Sequence, residues 1–333
     1  MMRWGILGTA GIAEQFVRGV RESGTNEIRA VASRDLARAK AWAASHDIAL
    51  AFGSYDELLR SGEVDLIYNP LPNSLHAEWT IRALEGGLPV LCEKPLAANA
   101  AEARAVAEVA ARTGLPVAEA FMYRFHPQWD AIFALVREGA VGKLSTLHGR
   151  FTFLLDDPSS IAASAALAGG ALMDVGCYCV NFSRLVAGCE PTRVSAFEQR
   201  RAVDDTMVGL LEFPNGILAH FETSIANFER YGAEIAGTEG VIEIENPWIP
   251  GDAPTRVIVR RNDAPPREII VPAANSYGLE AEDFVAACQD KRPPRWPIAD
   301  SIANMAVIDA LYQSAREGRA IEPENRHPDA EKS

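Results

Sequence analysis

The stretch Trp4-Gly5-Ile6-Leu7-Gly8-Thr9-Ala10-Gly11-Ile12-Ala13 decides how the N-terminal half of the chain is read. A short apolar run, Trp4–Leu7, meets a turn bounded by glycines, and Ile12 opens a helical pattern that continues to Arg21. A strand that turns on glycine straight into a helix is the opening of a βαβ unit. The same alternation continues downstream: candidate strands Ile28–Ala32, Leu66–Tyr68, Val90–Cys92 and Val117–Ala118 alternate with candidate helices Leu36–Ser45, Tyr55–Leu59, Leu75–Leu84 and Ala100–Arg112. The last of these has Asn99 as N-cap, Glu102 three residues on, and Gly114 and Pro116 as stop signals. Right-handed crossovers of this kind predict a doubly wound parallel sheet, with ligands beyond the carboxyl ends of its strands.

After Phe121 the period changes. A helix around Gln128–Arg137 precedes alternating strands such as Phe151–Leu155 and Ile217–Glu222, and the segment from Glu234 through Gly237-Thr238-Glu239-Gly240 to Ile244 reads as a hairpin. A helix near Leu172–Ala187 interrupts this region, helices near Gly278–Gln289 and Ile302–Arg316 close it, and residues 322–333 read as a frayed polar tail. The expected division is residues 1–121, the parallel α/β domain, and residues 122–333, an α+β domain on a largely antiparallel open sheet. A terminal helix is free to pack back on the first domain.

Composition narrows the function classes. The 333 residues are 48% hydrophobic and 23% charged, with a mean hydropathy of -0.04, which excludes a disordered, collagenous or membrane-embedded chain. A formal net charge of -13 opposes phosphate backbones and anionic lipid, so neither nucleic acid nor membrane is expected as partner. Five scattered cysteines, Cys92, Cys177, Cys179, Cys189 and Cys288, fit buried thiols in a reducing compartment better than a disulfide framework or metal site. With no leader-like or membrane-length apolar run, the expected location is the cytoplasm.

Four segments carry candidate chemistry. Gly8 through Ala13 can bring backbone N–H groups against a pyrophosphate, although Ala10 stands where a middle glycine is usual and a ligand-free turn uses the same residues. At the end of the second strand, Ser33 and Arg34 replace the acidic residue that would hold a ribose 2′-hydroxyl, which favours a 2′-phosphate; Asp35 is equally placed to cap the next helix with Arg34 merely solvated. Pro70, Asn73 and His76 follow the next strand, and Glu93-Lys94-Pro95 the one after. A lysine there can stabilise a developing oxyanion, or be an ordinary surface residue in a turn. His76 has no partner at metal-ligand spacing, and no metal is expected. In Gly169 through Asn181, Asp174 and Tyr178 are four apart on an expected helix, an arrangement suited to proton transfer or to a half-buried Tyr bonded to a capping Asp.

In their order and spacing these segments resemble the glucose-fructose oxidoreductase, inositol dehydrogenase and MocA (Gfo/Idh/MocA) family over nearly the whole chain, most closely its dihydrodiol dehydrogenase and NADP-dependent D-xylose dehydrogenase branch. Ser33-Arg34, Tyr178 where the inositol dehydrogenase branch has His, Asp204-Asp205-Thr206 and Asn246-Pro247 carry that closer likeness. The resemblance implies an N-terminal Rossmann domain for NADP, with NAD possible, held by Gly8, Thr9, Ala10, Gly11, Ile12, Ser33, Arg34, Pro70, Asn73, His76, Glu93 and Lys94. It implies Lys94 as catalytic lysine, Tyr178 as general acid/base and Asp174 as its orienting partner. The implied reaction is hydride transfer at a CH–OH carbon of a cyclic sugar or polyol, with D-xylose oxidised at C1 as leading substrate. A trans-dihydrodiol or a 1,5-anhydrofructose-like keto-sugar is the alternative, and a homodimer or larger homo-oligomer the expected assembly. A sensor that binds nucleotide and sugar without catalysis is the reading from another class; it has no need of Lys94, Asp174 and Tyr178 together.

Overall fold

The computed structural model describes residues 1–324; the rest of the expected polar tail lies outside the described residues. The chain divides into two compact units, Met1–His126 with Asn275–Ile302, and Pro127–Ala274 with the residues from Ala303 onward.

In the first unit the elements are β1 (Arg3–Leu7), α1 (Ile12–Ser23), β2 (Glu27–Ala32), α2 (Leu36–Ser45), β3 (Leu50–Phe52), α3 (Tyr55–Arg60), β4 (Leu66–Asn69), α4 (Asn73–Glu85), β5 (Val90–Glu93), α5 (Ala100–Thr113) and β6 (Val117–Ala120). All six strands run parallel in the order β3-β2-β1-β4-β5-β6, which is the dinucleotide-binding arrangement with its switch point between β1 and β4. Local signals set the helix ends. Asp35 accepts from Ala37 N and Arg38 N, Ser54 from Glu57 N and Asn99 from Glu102 N, while Gly24 and Gly114 close α1 and α5 in the left-handed conformation. Trp4, Phe16 and Tyr68 form the aromatic centre of the core, with the Phe16 and Tyr68 rings stacked at 3.8 Å. Truncating such a ring costs about 3–5 kcal/mol.

The second unit begins with α6 (Pro127–Arg137) and β7 (Leu144–Leu154). A turn of π-helix over Leu172–Gly176 then runs into α7 (Cys177–Ala187). There follow β8 (Arg193–Arg200), β9 (Asp204–Glu212), β10 (Leu218–Ser224), β11 (Ala226–Gly237), β12 (Gly240–Ile244), β13 (Thr255–Arg261) and β14 (Ala264–Val271). The eight-stranded sheet has the order β14-β13-β12-β11-β7-β10-β9-β8 and is antiparallel except at β7–β10. Alternation sends Leu147, Phe151, Ala219 and Phe221 to the buried face, against which α7 lies so closely that a Cβ on Gly149 would touch Cys179 at 3.2 Å. Helix α8 (Ser276–Asp290), capped by Asn275, belongs to the first unit, where a Cβ on Gly19 of α1 would lie 2.5 Å from Gly278 N. Helix α9 (Ile298–Glu317) follows it.

Two expectations change. Strand β3 has no counterpart in the sequence reading because Leu50-Ala51-Phe52 is a three-residue, half-buried edge strand without alternation. The single α-helix expected over Leu172–Ala187 is a π-turn joined to an α-helix, which adds a residue to the turn carrying Asp174. Among the described residues, the stretch Ala165–Ala187 is long and apolar enough to cross a membrane, but 67% of its apolar window is buried, as in a core helix.

Candidate active site

The carboxyl ends of β2, β1, β4 and β5 lie side by side on one edge of the parallel sheet, which brings Ser33, Gly8, Pro70 and Lys94 to that edge. Gly8 adopts φ +93°, a conformation that disfavours a side chain, and a Cβ there would press on Leu71 at 3.1 Å. The loop after β4 therefore covers the glycine turn. Gly11 opens α1 with no side chain capping its amides, and a Cβ on Gly11 would meet nothing within 4 Å, so the helix N-terminus is accessible to an anion. Ala13, buried in full, lets the helix lie close on the strand. These features fit the pyrophosphate of a dinucleotide.

At the end of β2, Ser33 is buried and accepts from Asp35 N at 3.3 Å. Asp35 caps α2, so its carboxylate is committed to the Ala37 and Arg38 amides. Arg34 is exposed, and near it burial raises the Tyr55 phenol while the charges of Arg34 and Arg38 oppose the rise. Arg38, absent from the sequence reading, donates from Nε to Thr9 Oγ1 at 2.7 Å. Its place in the first turn of α2, just after the Asp35 cap, was the available signal. The Arg38 guanidinium thus stands beside the glycine turn.

The Glu93-Lys94-Pro95 loop is held from two strands and a helix. Tyr68 at the end of β4 donates to Glu93 Oε1 at 2.6 Å, and Glu119 of β6 accepts from Leu96 N at 2.9 Å. His76 of α4 places Nδ1 2.7 Å from the Pro95 carbonyl and Nε2 2.5 Å from the Leu71 carbonyl. Burial pushes the His76 pKa down to about 4, with Lys94 acting in the same direction and the Pro95 and Leu71 carbonyls opposing, and the ring serves as a strut between two loops. Burial raises the Glu93 carboxyl while the Lys94 charge and the Tyr68 hydroxyl oppose the rise. Asn69 ties β4 to α4 through Thr80 Oγ1 at 3.1 Å and the His76 carbonyl at 3.2 Å, and Asn73 is the first residue of that helix. Glu119 was missed by the sequence reading, although a carboxylate inside a buried parallel strand is itself a signal that a polar group requires a partner.

In the second unit the π-turn and α7 carry Asp174 and Tyr178. Tyr178, 6% exposed, sits in the first turn of α7 with its ring 5.5 Å from Phe151 and 6.2 Å from Trp248. Asp174 is half-buried, and its amide donates to the Gly170 carbonyl at 2.9 Å. The flanking Cys177 and Cys179 are buried free thiols, and burial raises Cys179 far above its ordinary range, so it is held as an inert thiol. Among the described residues, no group of three or more His, Cys, Asp or Glu is placed to hold a metal ion.

Residues 2–121 match the oxidoreductase family with NAD-binding Rossmann fold, and residues 129–243 match the GFO/IDH/MocA C-terminal domain. The chain belongs to the GFO/IDH/MocA oxidoreductase family. The NADP-dependent D-xylose 1-dehydrogenase 2 of Haloferax volcanii is 38% identical over 325 residues, covering 96% of this chain and 99% of that protein. The trans-1,2-dihydrobenzene-1,2-diol dehydrogenase of Macaca fuscata fuscata is 32% identical, covering 98% and 99%. Among solved structures, the 3-ketoreductase KijD10 of Actinomadura kijaniata, in complex with NADP and TDP-benzene, superposes with a TM-score of 0.90 at 28% identity, covering 94% of this chain and 97% of that one. This GFO/IDH/MocA member is accordingly an oxidoreductase whose first unit is built on an NAD-binding Rossmann fold.

Proposed function

We propose that this oxidoreductase uses NADP to oxidise a CH–OH carbon of a cyclic sugar, with C1 of an aldopyranose such as D-xylose as the reacting centre. The observation that carries the reading is the anchoring of the Lys94 loop by Tyr68, His76 and Glu119 at the carboxyl edge of the parallel sheet. The likeness to the D-xylose dehydrogenase along almost the full length of both chains supports the substrate class. Bound nicotinamide would accept the hydride. The protein's part is to hold the sugar hydroxyl, with Tyr178 taking its proton, Asp174 orienting the phenol and Lys94 stabilising the oxyanion that develops. The pyrophosphate would lie on the Gly8–Ile12 turn and the N-terminus of α1, and Pro70, Asn73 and Glu93 would shape the nicotinamide side. The decisive assay follows absorbance of the reduced nicotinamide with NADP⁺ and a panel of aldoses, inositols and trans-dihydrodiols. Turnover of aldoses supports the reading, turnover only of dihydrodiols or only of keto-sugars in reverse moves the substrate, and no turnover despite NADPH binding favours a sensor.

Arg34, with Arg38 beside it, would pair with the 2′-phosphate, since Asp35 is already used as a cap. Losing such a charge-assisted bond costs about 1.5–3 kcal/mol, so Arg34→Ala weakens NADP and leaves NAD almost unchanged. Equal kcat/KM for the two cofactors in the parent protein refutes this preference.

The outer face of the eight-stranded sheet offers a surface for a second copy of the chain. Phe197 stands opposite Val208, with Leu210 and Leu218 diagonal on neighbouring strands, and all four are exposed. Such a patch on a solvated sheet is suited to pairing. Light scattering at micromolar concentration then gives a dimer or larger species; a monomer mass for the parent protein removes the proposal.

A further inference from the structure

A π-turn is an uncommon local structure, and one that carries Asp174 must be held by something outside itself. The holder comes from β9. Asp204, 1% exposed, accepts from Leu172 N at 2.7 Å through Oδ2 and from the Tyr312 hydroxyl at 2.9 Å through Oδ1. It thereby satisfies the first amide of the π-turn and is itself anchored to α9. Gly170, two residues before that amide, adopts φ +117°, and a Cβ there would overlap Asp204 Oδ1 at 1.9 Å. Only glycine lets the carboxylate reach the turn. Thr223 of β10 supplies a second tie, donating from Oγ1 to the Ala171 carbonyl at 3.1 Å. Ala171, Val203 and Ile225 close a small apolar cluster around the junction. Burial pushes the Asp204 pKa up to about 6, while the Leu172 amide, the Tyr312 hydroxyl and the Arg200 charge oppose the rise.

We propose that Asp204 is a positioning residue of the proposed reaction: its bonds to Leu172 N and Tyr312 fix the π-turn, and through it the placement of Asp174 and Tyr178 for proton transfer. The inference rests on the functional reading above for the role of Tyr178, but the positioning itself can be measured without turnover. Asp204→Ala removes both bonds. A reacting group displaced by about an ångström loses on the order of 10²-fold in rate, so kcat falls by about that factor while KM and NADPH binding change little. Hydrogen exchange at residues 172–178 accelerates in the same variant, with the parallel sheet of the first unit unaffected. Asp204→Asn can accept from Leu172 N with its carbonyl and donate to Tyr312 with its amide, so it restores both kcat and the exchange protection. Should Asp204→Ala fail to fold, Tyr312→Phe, which keeps the ring and deletes one anchor, is expected to give a smaller shift of both readouts in the same direction.

The proposal is overturned if exchange at residues 172–178 stays at the parental rate in Asp204→Ala and Tyr312→Phe. It is equally overturned if kcat is retained while protection is lost, or if Asp204→Asn restores neither readout. A parent protein that turns over no member of the panel refutes the functional reading and, with it, the catalytic role assigned to Asp204. The exchange data still decide whether Asp204 holds the turn.

Discussion

Tyr178→Phe is expected to fold as the parent does, bind NADPH, and lose about 10²–10⁴-fold in kcat. The ring is buried between Phe151 and Trp248, and phenylalanine keeps those contacts, so only the hydroxyl is lost. In the oxidising direction the parent rate rises with pH as one group loses its proton, because a deprotonated phenol is what accepts the sugar proton. That limb disappears from any residual activity of the variant. Near-parental turnover with the same limb would move the acid/base role elsewhere. His76 would be the next residue to substitute, although both of its nitrogens already face backbone carbonyls and its pKa lies at about 4.

Lys94→Ala is expected to lose about 10²–10³-fold in kcat, the usual effect of deleting one donor that stabilises a developing oxyanion. The loop around it persists, since Tyr68, His76 and Glu119 grip Glu93, Pro95 and Leu96 and make no use of the lysine side chain in those bonds. NADPH titration therefore gives near-parental affinity. Two buried neighbours report the lost charge. Lys94 holds both Glu93 and His76 down, so each titrates at higher pH in the variant. Lys94→Arg does not restore the rate, because a planar guanidinium cannot replace a compact ammonium in a loop of this size. Unchanged turnover in Lys94→Ala would take Lys94 out of the reaction.

Much of the candidate site could be read from the sequence. The glycine turn, the Ser33-Arg34 strand end, the Glu93-Lys94-Pro95 loop and the Gly170–Tyr178 segment each sit at a change of hydrophobic period, where a strand ends or a helix begins, and such changes are local properties of the chain. Arg38 and Glu119 were less accessible. The first is one of many arginines on exposed helical faces until Thr9 is brought beside it. The second is a carboxylate in a four-residue strand, given a purpose only by the Leu96 amide 23 residues away. Asp204 was noticed in the sequence only for its likeness to one family branch, and its bond to Leu172 spans 32 residues.

The sequence by itself determined the alternation of strands and helices in the first unit, the helix caps at Asp35 and Asn99, and the switch to alternating strands after Phe121. These follow from side-chain period and from hydrogen bonds between residues two to four apart, which the chain specifies wherever it goes. Tertiary structure alone decided that Leu50–Phe52 pairs as an edge strand, that the Asp174 turn winds as a π-helix, and that His76 is a strut between two loops. Each of those outcomes depends on a partner distant in sequence: β2 for the edge strand, Asp204 and Thr223 for the π-turn, the Pro95 carbonyl for His76. Such partners act only after the sheets have formed, because a buried amide, carbonyl or imidazole must be satisfied by whatever polar group the completed packing places within reach.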